Sequence, residues 1–328
     1  MLSRRRLLYS TLAATGLLAT RAVLGQGTVW PERLVRIIVP FPAGGAADVL
    51  TRIVAAQLQT RLGQTFIVEN RSGAAGNIGM EAGGNAAPDG YTITSATIGT
   101  LSINQFLFSR LTYDPERGFA YASTFWMNCN VVLVPAQHNP AKTLQEFLAW
   151  AKARPQGVTF GSSGAGTTPH LSGELFRMRT GINAIHVPSR GAAQTIPMML
   201  SGNLDFAIDN LASYFSFLQS GQVRGLAVTS AERWPTMPNI PTMAEAGLPD
   251  FVVTSWGAFV MPAATPPAIV AKLSRAISEI AADASVQQRF LAAGARAISS
   301  TPQETVAFAA KERQKWSEVV RVSGARVE

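Results

Sequence analysis

Short apolar runs alternate with longer amphipathic stretches through the first third of the chain. The stretch 49–62 places Leu50, Val54 and Leu58 on one face and is followed by Gly63, which predicts a helix with a glycine C-cap. Apolar runs rich in β-branched residues predict buried strands, and they lie at residues 34–39, 66–69 and 91–96. Because strands alternate with helical or glycine-rich segments, we expect a parallel sheet with helices on both faces.

The same alternation continues through the middle of the chain. A helix is predicted after the second of two glycine-rich turns, with Thr168 as its N-cap and Pro169 at its first position. Leu171, Leu175 and Met178 are expected on the buried face of that helix. The other predicted elements are helices at 144–152, 193–200, 267–282 and 301–322 and strands at 130–134, 158–160, 185–188, 206–209 and 225–228.

The two glycine-rich turns each join a predicted strand to a predicted helix. They are Phe41-Pro-Ala-Gly-Gly-Ala-Ala-Asp48 and Gly161-Ser-Ser-Gly-Ala-Gly-Thr-Thr-Pro-His170. The first N–H groups of a helix lack intrahelical partners and lie at the positive end of its dipole, so such a turn is suited to binding an anion. Since neither turn carries a catalytic signature, the pair predicts that the chain grips one acidic solute from two sides.

The first 25 residues have the pattern of an export signal. Ser3-Arg-Arg-Arg-Leu-Leu8 is similar to a twin-arginine motif, and the apolar stretch 7–20 is too short to span a bilayer. Cleavage after Gly25 is expected, which would place the mature chain in the periplasm. An uncleaved membrane anchor and export by the general secretory route stay open, because an arginine pair alone does not define the route.

Length and charge narrow the class of protein further. Without residues 1–25 the 328-residue chain still exceeds the usual size of a single core, which predicts two lobes. The signal carries four of the 28 basic residues and no acidic residue, so the pI of about 10.1 overstates the charge of the remainder. The remaining basic residues are scattered, and we therefore predict no contact with nucleic acid.

Cysteine and histidine usage gives no indication of a metal or a cofactor. Cys129 is the only cysteine, so no disulfide forms within the chain, and its apolar setting predicts a buried thiol. His138, His170 and His186 are isolated in the sequence and have no metal-ligand spacing.

Six runs of residues together carry a family resemblance. They are Val39–Asp48, Val68–Gly79, Pro88–Thr92, Gly164–Leu171, Ile240–Leu248 and Trp256–Pro266. In order and spacing they resemble the Bug-type extracytoplasmic solute receptors of tripartite tricarboxylate transporters. The resemblance covers essentially the whole chain after residue 25.

The resemblance implies an α/β fold of the two-lobed type II periplasmic-binding-protein class. Each lobe would be a mainly parallel sheet flanked by helices, with the ligand cleft between the lobes. The expected division is a signal peptide at 1–25, a discontinuous domain 1 at 26–128 and 250–328, and domain 2 at 129–249.

The resemblance also implies a receptor rather than an enzyme. Such a receptor binds a small organic acid or amino acid and delivers it to the integral-membrane permease subunits of the transporter. It works as a monomer without a cofactor. The identity of the acid stays open.

The first wall of the implied ligand site is the turn after the first strand. Its residues are Phe41, Ala43, Gly44, Gly45 and Asp48. Glycines let backbone N–H groups approach a carboxylate closely. A carboxylate at Asp48 would repel an acidic ligand. Helix capping is therefore one role for this residue, and direct ligand contact and the orienting of a bridging water are the others.

The second wall combines the second turn with two further segments. Its implied ligand-binding residues are Ser162, Ser163, Gly166, Thr167, Thr168, His170, Ser189, Arg190, Gly191 and Asp209. His170 and Asp209 each have an alternative role in closing a turn. The chain has Val187-Pro-Ser-Arg-Gly191 where the family usually has Val-Pro-Tyr-Lys-Gly, which removes an aromatic wall and predicts a wider pocket or a different second polar group.

Two other functions compete with transport. Gly161-Ser-Ser-Gly-Ala165 lacks the final glycine of a nucleophile elbow, which weakens the case for an exported hydrolase. A periplasmic subunit that binds the same ligand and reports to a signalling partner would have the same sequence features.

Overall fold

A computed structural model describes residues 29–323 and 326 of the chain. The export signal and its cleavage point lie outside the described residues. Within the described part, none of the helices combines the length and the apolar character needed to cross a membrane.

The described part of the chain is a mixed α/β fold. Its strands are β1 Val35–Val39, β2 Phe66–Asn70, β3 Thr92–Thr97, β4 Phe119–Pro135, β5 Val158–Gly161, β6 Ala184–Val187, β7 Phe206–Asn210, β8 Val223–Val228, β9 Thr254–Pro262 and β10 Arg296–Ala297. Its α-helices are α1 Ala46–Leu62, α2 Asn77–Gly84, α3 Asn104–Leu107, α4 Leu144–Lys152, α5 Thr168–Thr180, α6 Ala192–Leu200, α7 Leu211–Gln219, α8 Pro267–Ala282, α9 Ala284–Ala292 and α10 Pro302–Ser323.

The strand β4 connects two sheet regions. Its residues 119–129 pair with β9 in antiparallel fashion, and from Asn130 onward it pairs with β7 and β8 instead. The full order is β2-β1-β3-β9-β4-β7-β5-β6, with β8 and β10 also paired to β4. A curled sheet with flanking helices results, consistent with the two-lobed α/β fold that the resemblance implies.

The pairing is parallel in the outer strands and antiparallel through the middle. The strand β1 lies parallel between β2 and β3, and β5 lies parallel between β6 and β7. The antiparallel β9 and the first two thirds of β4 are absent from the sequence prediction. Register shifts at residues 121–123 and 124–126 interrupt the alternation of β4, so its period-two pattern is broken.

The predicted buried faces are largely confirmed, with one correction. Leu50, Leu58 and Leu171 are buried, but Met178 is 42% exposed and was wrongly placed on the buried face of α5. Phe176 is the buried residue of that turn, because it packs against rings of neighbouring strands. Cys129 is a buried thiol as predicted, and burial raises its pKa to about 12.

Candidate functional site

A cavity lies between the turn that follows β1 and the turn that follows β5. We call it the central cavity. None of its lining residues is charged. The residues are Phe41, Pro42, Gly45, Ala46, Ala47, Thr97, Ile98, Gly99, Trp126, Ser163, Thr167, Thr168, Pro169, Gly191, Ala192, Ala193, Asn210, Ser213 and Ser255.

Four helices begin at the wall of this cavity. They are α1 at Ala46, α5 at Thr168, α6 at Ala192 and α7 at Leu211, and each has its first residue or its N-cap in the lining. None of their N-caps accepts a side-chain hydrogen bond from the helix. The helix dipoles therefore give an uncharged cavity a positive potential.

In the turn before α1, some backbone N–H groups donate hydrogen bonds within the protein and others have no partner among the described bonds. The Gly44 N–H donates to Asp48 Oδ2 at 2.9 Å, and Gly44 takes the left-handed conformation with φ of 84°. The Ala46 N–H donates to Ser213 Oγ at 3.1 Å. Among the described bonds, the N–H groups of Gly45 and Ala47 have no partner, so they are available to an anion.

Asp48 is turned away from the central cavity. It is 3% exposed and accepts hydrogen bonds from Gly44 N, Arg52 Nε and Asn70 Nδ2. Burial acts to raise the pKa of this carboxyl, but the bonds from Arg52, Gly44 and Asn70 outweigh it and hold the pKa below its usual value. The carboxylate is thus neutralised within the protein.

The helix α5 begins one residue earlier than predicted. Thr167, not Thr168, precedes the helix, and its hydroxyl donates to Gly164 O at 2.6 Å instead of accepting from the helix. Pro169 therefore lies at the second helical position. The hydroxyl and the N–H of Thr168 make no bond within the described residues and line the central cavity.

Two histidines form hydrogen bonds with residues of the turn before α5. His170 and His186 are far apart in the sequence, but their ring centroids lie 4.3 Å apart in the structure. Gly166 N donates to His170 Nδ1 at 3.2 Å, and His186 Nε2 lies 2.8 Å from Ser162 Oγ. Burial, with a smaller contribution from the His170 charge, lowers the pKa of His186 to about 3, so the ring is neutral at neutral pH.

Asp209 is completely buried at the end of β7. Its carboxyl oxygens lie 2.8 and 2.7 Å from the Ser163 hydroxyl, and its Oδ1 accepts from Asn210 N at 2.7 Å. Burial raises the pKa of Asp209 to about 7, although the bonds from Ser163 and Asn210 oppose that shift. Asp209 thus fixes Ser163, which lines the cavity.

Replacing Asp209 with Asn is expected to raise stability relative to the wild type by an amount that grows with pH. The unfolded carboxyl ionises near pH 3.8 and the folded one near 7. Between these values the unfolded chain releases a proton that the folded chain keeps, so the wild type loses stability as pH rises. The difference in unfolding free energy should grow by up to about 4 kcal/mol across this window. Urea unfolding of both proteins across the window measures it, and parallel curves would contradict it.

A second cavity adjoins the first. Its lining residues are Pro40, Phe41, Gly73, Ala74, Ala75, Gly76, Phe108, Ser163, Gly164, Ala165, Pro188, Ser189 and Arg190. Phe41 and Ser163 line both cavities.

The predicted site residues divide into three groups. Phe41, Gly45, Ser163, Thr167, Thr168 and Gly191 line the central cavity. Ser189 and Arg190, with Phe41 and Ser163, line the second cavity. Ala43, Gly44, Asp48, Ser162, Gly166, His170 and Asp209 line neither cavity. Direct ligand contact by any of them stays a prediction.

Sequence reasoning missed several polar residues of the lining. Thr97 ends β3, Ser255 lies in the unpredicted β9, and Asn210 and Ser213 belong to the start of α7, which was also not predicted. Only Thr97 carried a usable signal, because it follows a buried strand at the edge where the glycine turns were expected.

Contacts across the cleft hold its two sides together. Besides the bond from Ala46 N to Ser213 Oγ, a Cβ at Gly191 would lie 3.1 Å from Pro42 Cγ. A Cβ at Gly166 would lie 3.5 Å from Ala75 Cβ. At these points the segments on the two sides of the central cavity approach each other closely. No cluster of three or more potential metal ligands occurs in the described residues.

Comparison with known proteins gives a consistent result. Residues 50–324 match the family described as tripartite tricarboxylate transporter family receptor. Protein BugT of Bordetella pertussis is 36% identical over 299 residues, which are 91% of either chain.

Two solved structures with bound ligands share the fold. R. palustris Rpa4515 with adipate matches with a TM-score of 0.88 and 33% identity, over 91% of this chain and 100% of that one. MatC from Rhodopseudomonas palustris with bound malate matches with a TM-score of 0.82 and 29% identity, over 89% and 100% of the two chains. The family match and the 36% identical relative show that the chain belongs to the Bug-type receptors of the tripartite tricarboxylate transporter family.

Proposed function

We propose that this chain is a periplasmic receptor that binds one small carboxylate-bearing metabolite in the central cavity and delivers it to the permease subunits of a tripartite tricarboxylate transporter. Residues 1–25 are its export signal, and the mature receptor is monomeric. Residues 26–128 and 250–328 form one domain and residues 129–249 the other. The change of partner strand along β4 at Asn130 supports this boundary.

The observation that carries the proposal is the convergence of four helix starts on one cavity without charged side chains. The unpartnered N–H groups of Gly45, Ala47 and Thr168 come from opposite sides of that cavity. A hydrogen bond to a charged group contributes about 1.5–3 kcal/mol, and a helix dipole adds about 0.3–1 kcal/mol. A few such contacts are enough for micromolar binding, which corresponds to about 8 kcal/mol.

The ligand class follows from the same geometry. Donors without a formal counter-charge suit a carboxylate, because N–H and O–H groups satisfy its lone pairs directly. The matched structures named with adipate and malate hold acids of this class.

The exported hydrolase is the weaker alternative, although one contact resembles catalytic machinery. Ser162 Oγ lies 2.8 Å from His186 Nε2, as a nucleophile and its base would. However, Ser162 is completely buried and lines neither cavity, and the low pKa of His186 makes it a poor base. We expect a bound acid to be recovered unchanged by mass spectrometry, and a modified acid would favour the hydrolase.

Replacing Thr168 with Val is expected to weaken binding of the acid about tenfold. The change removes a free hydroxyl from the cavity while the β-branched shape stays similar, and an unmet bond to a charged acceptor costs about 1–3 kcal/mol. Calorimetry on the mature protein, with the acid that stabilises it most in a thermal-shift screen, measures the effect.

The exposed Thr60 on α1 provides the control. Its hydroxyl donates only to Ala56 O within its own helix, so Thr60→Val should leave the affinity unchanged. Equal affinities of the Thr168 variant and the wild type would place the acid away from α5.

A further inference from the structure

The buried carboxyl of Asp209 is bonded to a residue that lines both cavities. Ser163 belongs to the turn before α5, is half-buried and lines the central and the second cavity. Asp209 is completely buried and lines neither of them. Within the described residues, the Ser163 hydroxyl has no hydrogen-bond partner other than the Asp209 carboxyl. The hydroxyl therefore lies between this carboxyl and the space that a ligand would occupy.

The two oxygens of Asp209 have different surroundings. Oδ1 accepts a hydrogen bond from Asn210 N at 2.7 Å and lies 2.8 Å from Ser163 Oγ. Oδ2 lies 2.7 Å from Ser163 Oγ and has no other partner among the described bonds. A serine hydroxyl has one hydrogen, so it can donate fully to only one of these oxygens. A proton on Oδ2 would donate to Ser163 Oγ and leave the hydroxyl hydrogen of Ser163 without a partner in the protein.

The Asp209 carboxyl has no cation bonded to it among the described residues. The elements packed against β7 are β5, α5, α6, α7 and the part of β4 from Cys129 onward, and the turn 162–167 adds no charged residue. The titratable and charged side chains of these elements are Cys129, His170, Glu174, Arg177, Arg179 and Tyr214. None of them forms a described ion pair or hydrogen bond with Asp209. Burial, with a smaller contribution from the Asp209 charge, raises the pKa of Tyr214 well above its usual value, so this phenol stays neutral.

The protonation state of Asp209 therefore decides what Ser163 offers to the cavities. When Asp209 is ionised, its carboxylate takes the Ser163 hydrogen, and only the oxygen lone pairs of Ser163 face the cavities. When Asp209 carries a proton, it donates to Ser163 Oγ, and the Ser163 hydroxyl can donate to an anion. Lone pairs repel a carboxylate, whereas a donor binds it.

We propose that Asp209 is a positioning residue that couples binding of the acid to uptake of a proton, because the protonated carboxyl turns the Ser163 hydroxyl into a hydrogen-bond donor for the bound carboxylate. This inference rests on the proposed function, since the anion has to occupy a cavity that Ser163 lines. A bound anion and the proton on Asp209 favour each other, so binding raises the pKa of Asp209 above its value of about 7 in the free receptor. The affinity is then highest below pH 7 and falls as the pH rises above it.

The test measures acid binding to the mature receptor by calorimetry from about pH 6.5 to about pH 9, a range in which the probe acids are ionised. The probes are acetate, benzoate, malate and adipate, and the tightest of them is used for every variant. We expect the wild-type affinity to fall about tenfold across this range, the effect of losing one hydrogen bond to a charged group. Titrations above pH 7 in buffers of different ionisation enthalpy should show uptake of up to about one proton on binding.

Two variants separate this coupling from other titrations. In Asp209→Asn, the amide nitrogen can donate to Ser163 Oγ as the protonated carboxyl does, while the amide oxygen accepts from Asn210 N. We expect this variant to bind at about pH 9 as tightly as the wild type does at about pH 6.5, without proton uptake. Ser163→Ala should bind about tenfold more weakly than the wild type at about pH 6.5 and should not respond to pH, because the hydroxyl is absent.

Asp89→Asn is the matched control, because Asp89 is exposed, pairs with Arg33 and lines neither cavity. It should keep the wild-type pH dependence. If the wild type binds with the same affinity at every pH and takes up no proton, the coupling is wrong and the proposed function stands. If Asp209→Asn or Ser163→Ala keeps the wild-type pH dependence, another group titrates and the inference is overturned. If none of the four probes binds the wild type at any pH, the proposed function fails with it.

Discussion

Replacing Ala193 with Glu should weaken binding of the acid about a hundredfold. Ala193 lies in the first turn of α6, is exposed and lines the central cavity. A carboxylate there adds a negative charge where the acid would sit, and two like charges about 4 Å apart repel by roughly 4 kcal/mol near a protein surface. Partial solvent screening reduces this to about 3 kcal/mol, or a hundredfold in affinity.

The charge can be separated from the size of the new side chain. Ala193→Gln has almost the same shape as Ala193→Glu and should bind far more tightly than the Glu variant. The Glu variant itself should fold, because an acidic residue in the first turn of a helix is favourable. Equal affinities of the Glu and Gln variants in calorimetry would show that the ligand is not an anion in this cavity.

Replacing Gly173 with Ala should destabilise the fold by about 3 kcal/mol, which is a typical cost of overpacking a core. A Cβ at this position would lie 2.1 Å from Phe160 Cε2, and Phe160 is completely buried on β5. Since the ring is also packed against Phe206, with centroids 5.4 Å apart, α5 has to move away from the sheet. Thr168 moves with it, so the affinity for the acid should fall as well.

The sign of this effect distinguishes it from ordinary helix propensity. Glycine to alanine in a helix interior normally stabilises by about 0.5–1 kcal/mol. Gly84→Ala near the end of α2 is the control. Its Cβ would come no nearer than 3.2 Å to Phe119 Cζ, compared with the 2.1 Å at Gly173. Urea unfolding should show a change within about 1 kcal/mol for Gly84→Ala. A Gly173→Ala protein as stable as the wild type would refute the close packing of α5 on β5.

The sequence predicts the outer elements of the fold well. Strands such as β1 and helices such as α4 show clear periodicity and clear caps, because one face packs on the core and the ends carry turn residues. The middle strands β4 and β9 are poorly predicted. Both are buried on both faces. In the first part of β4, serine, threonine and asparagine stand among apolar residues, so neither alternation nor a continuous apolar run marks it. In β9 the apolar run from Trp256 to Met261 was a strand signal that the sequence analysis did not use.

The candidate site was predictable in location more than in detail. The glycine turns identify where α1 and α5 begin. Sequence alone does not show which donors the protein itself uses: the Gly44 N–H is taken by Asp48 and the Thr167 hydroxyl by Gly164 O, whereas Thr168 is free. The contribution of α7 also depends on tertiary packing, because Asn210 and Ser213 reach the cavity only through the pairing of β7 with β4.

The most direct test is a crystal structure of the mature protein with the acid that stabilises it most in a thermal-shift screen. The account predicts one carboxylate in the central cavity, about 3 Å from N–H groups of both α1 and α5, with Gly45 or Ala47 on one side and Thr168 on the other. An acid bound outside this cavity, or held by only one of the two turns, would contradict the account.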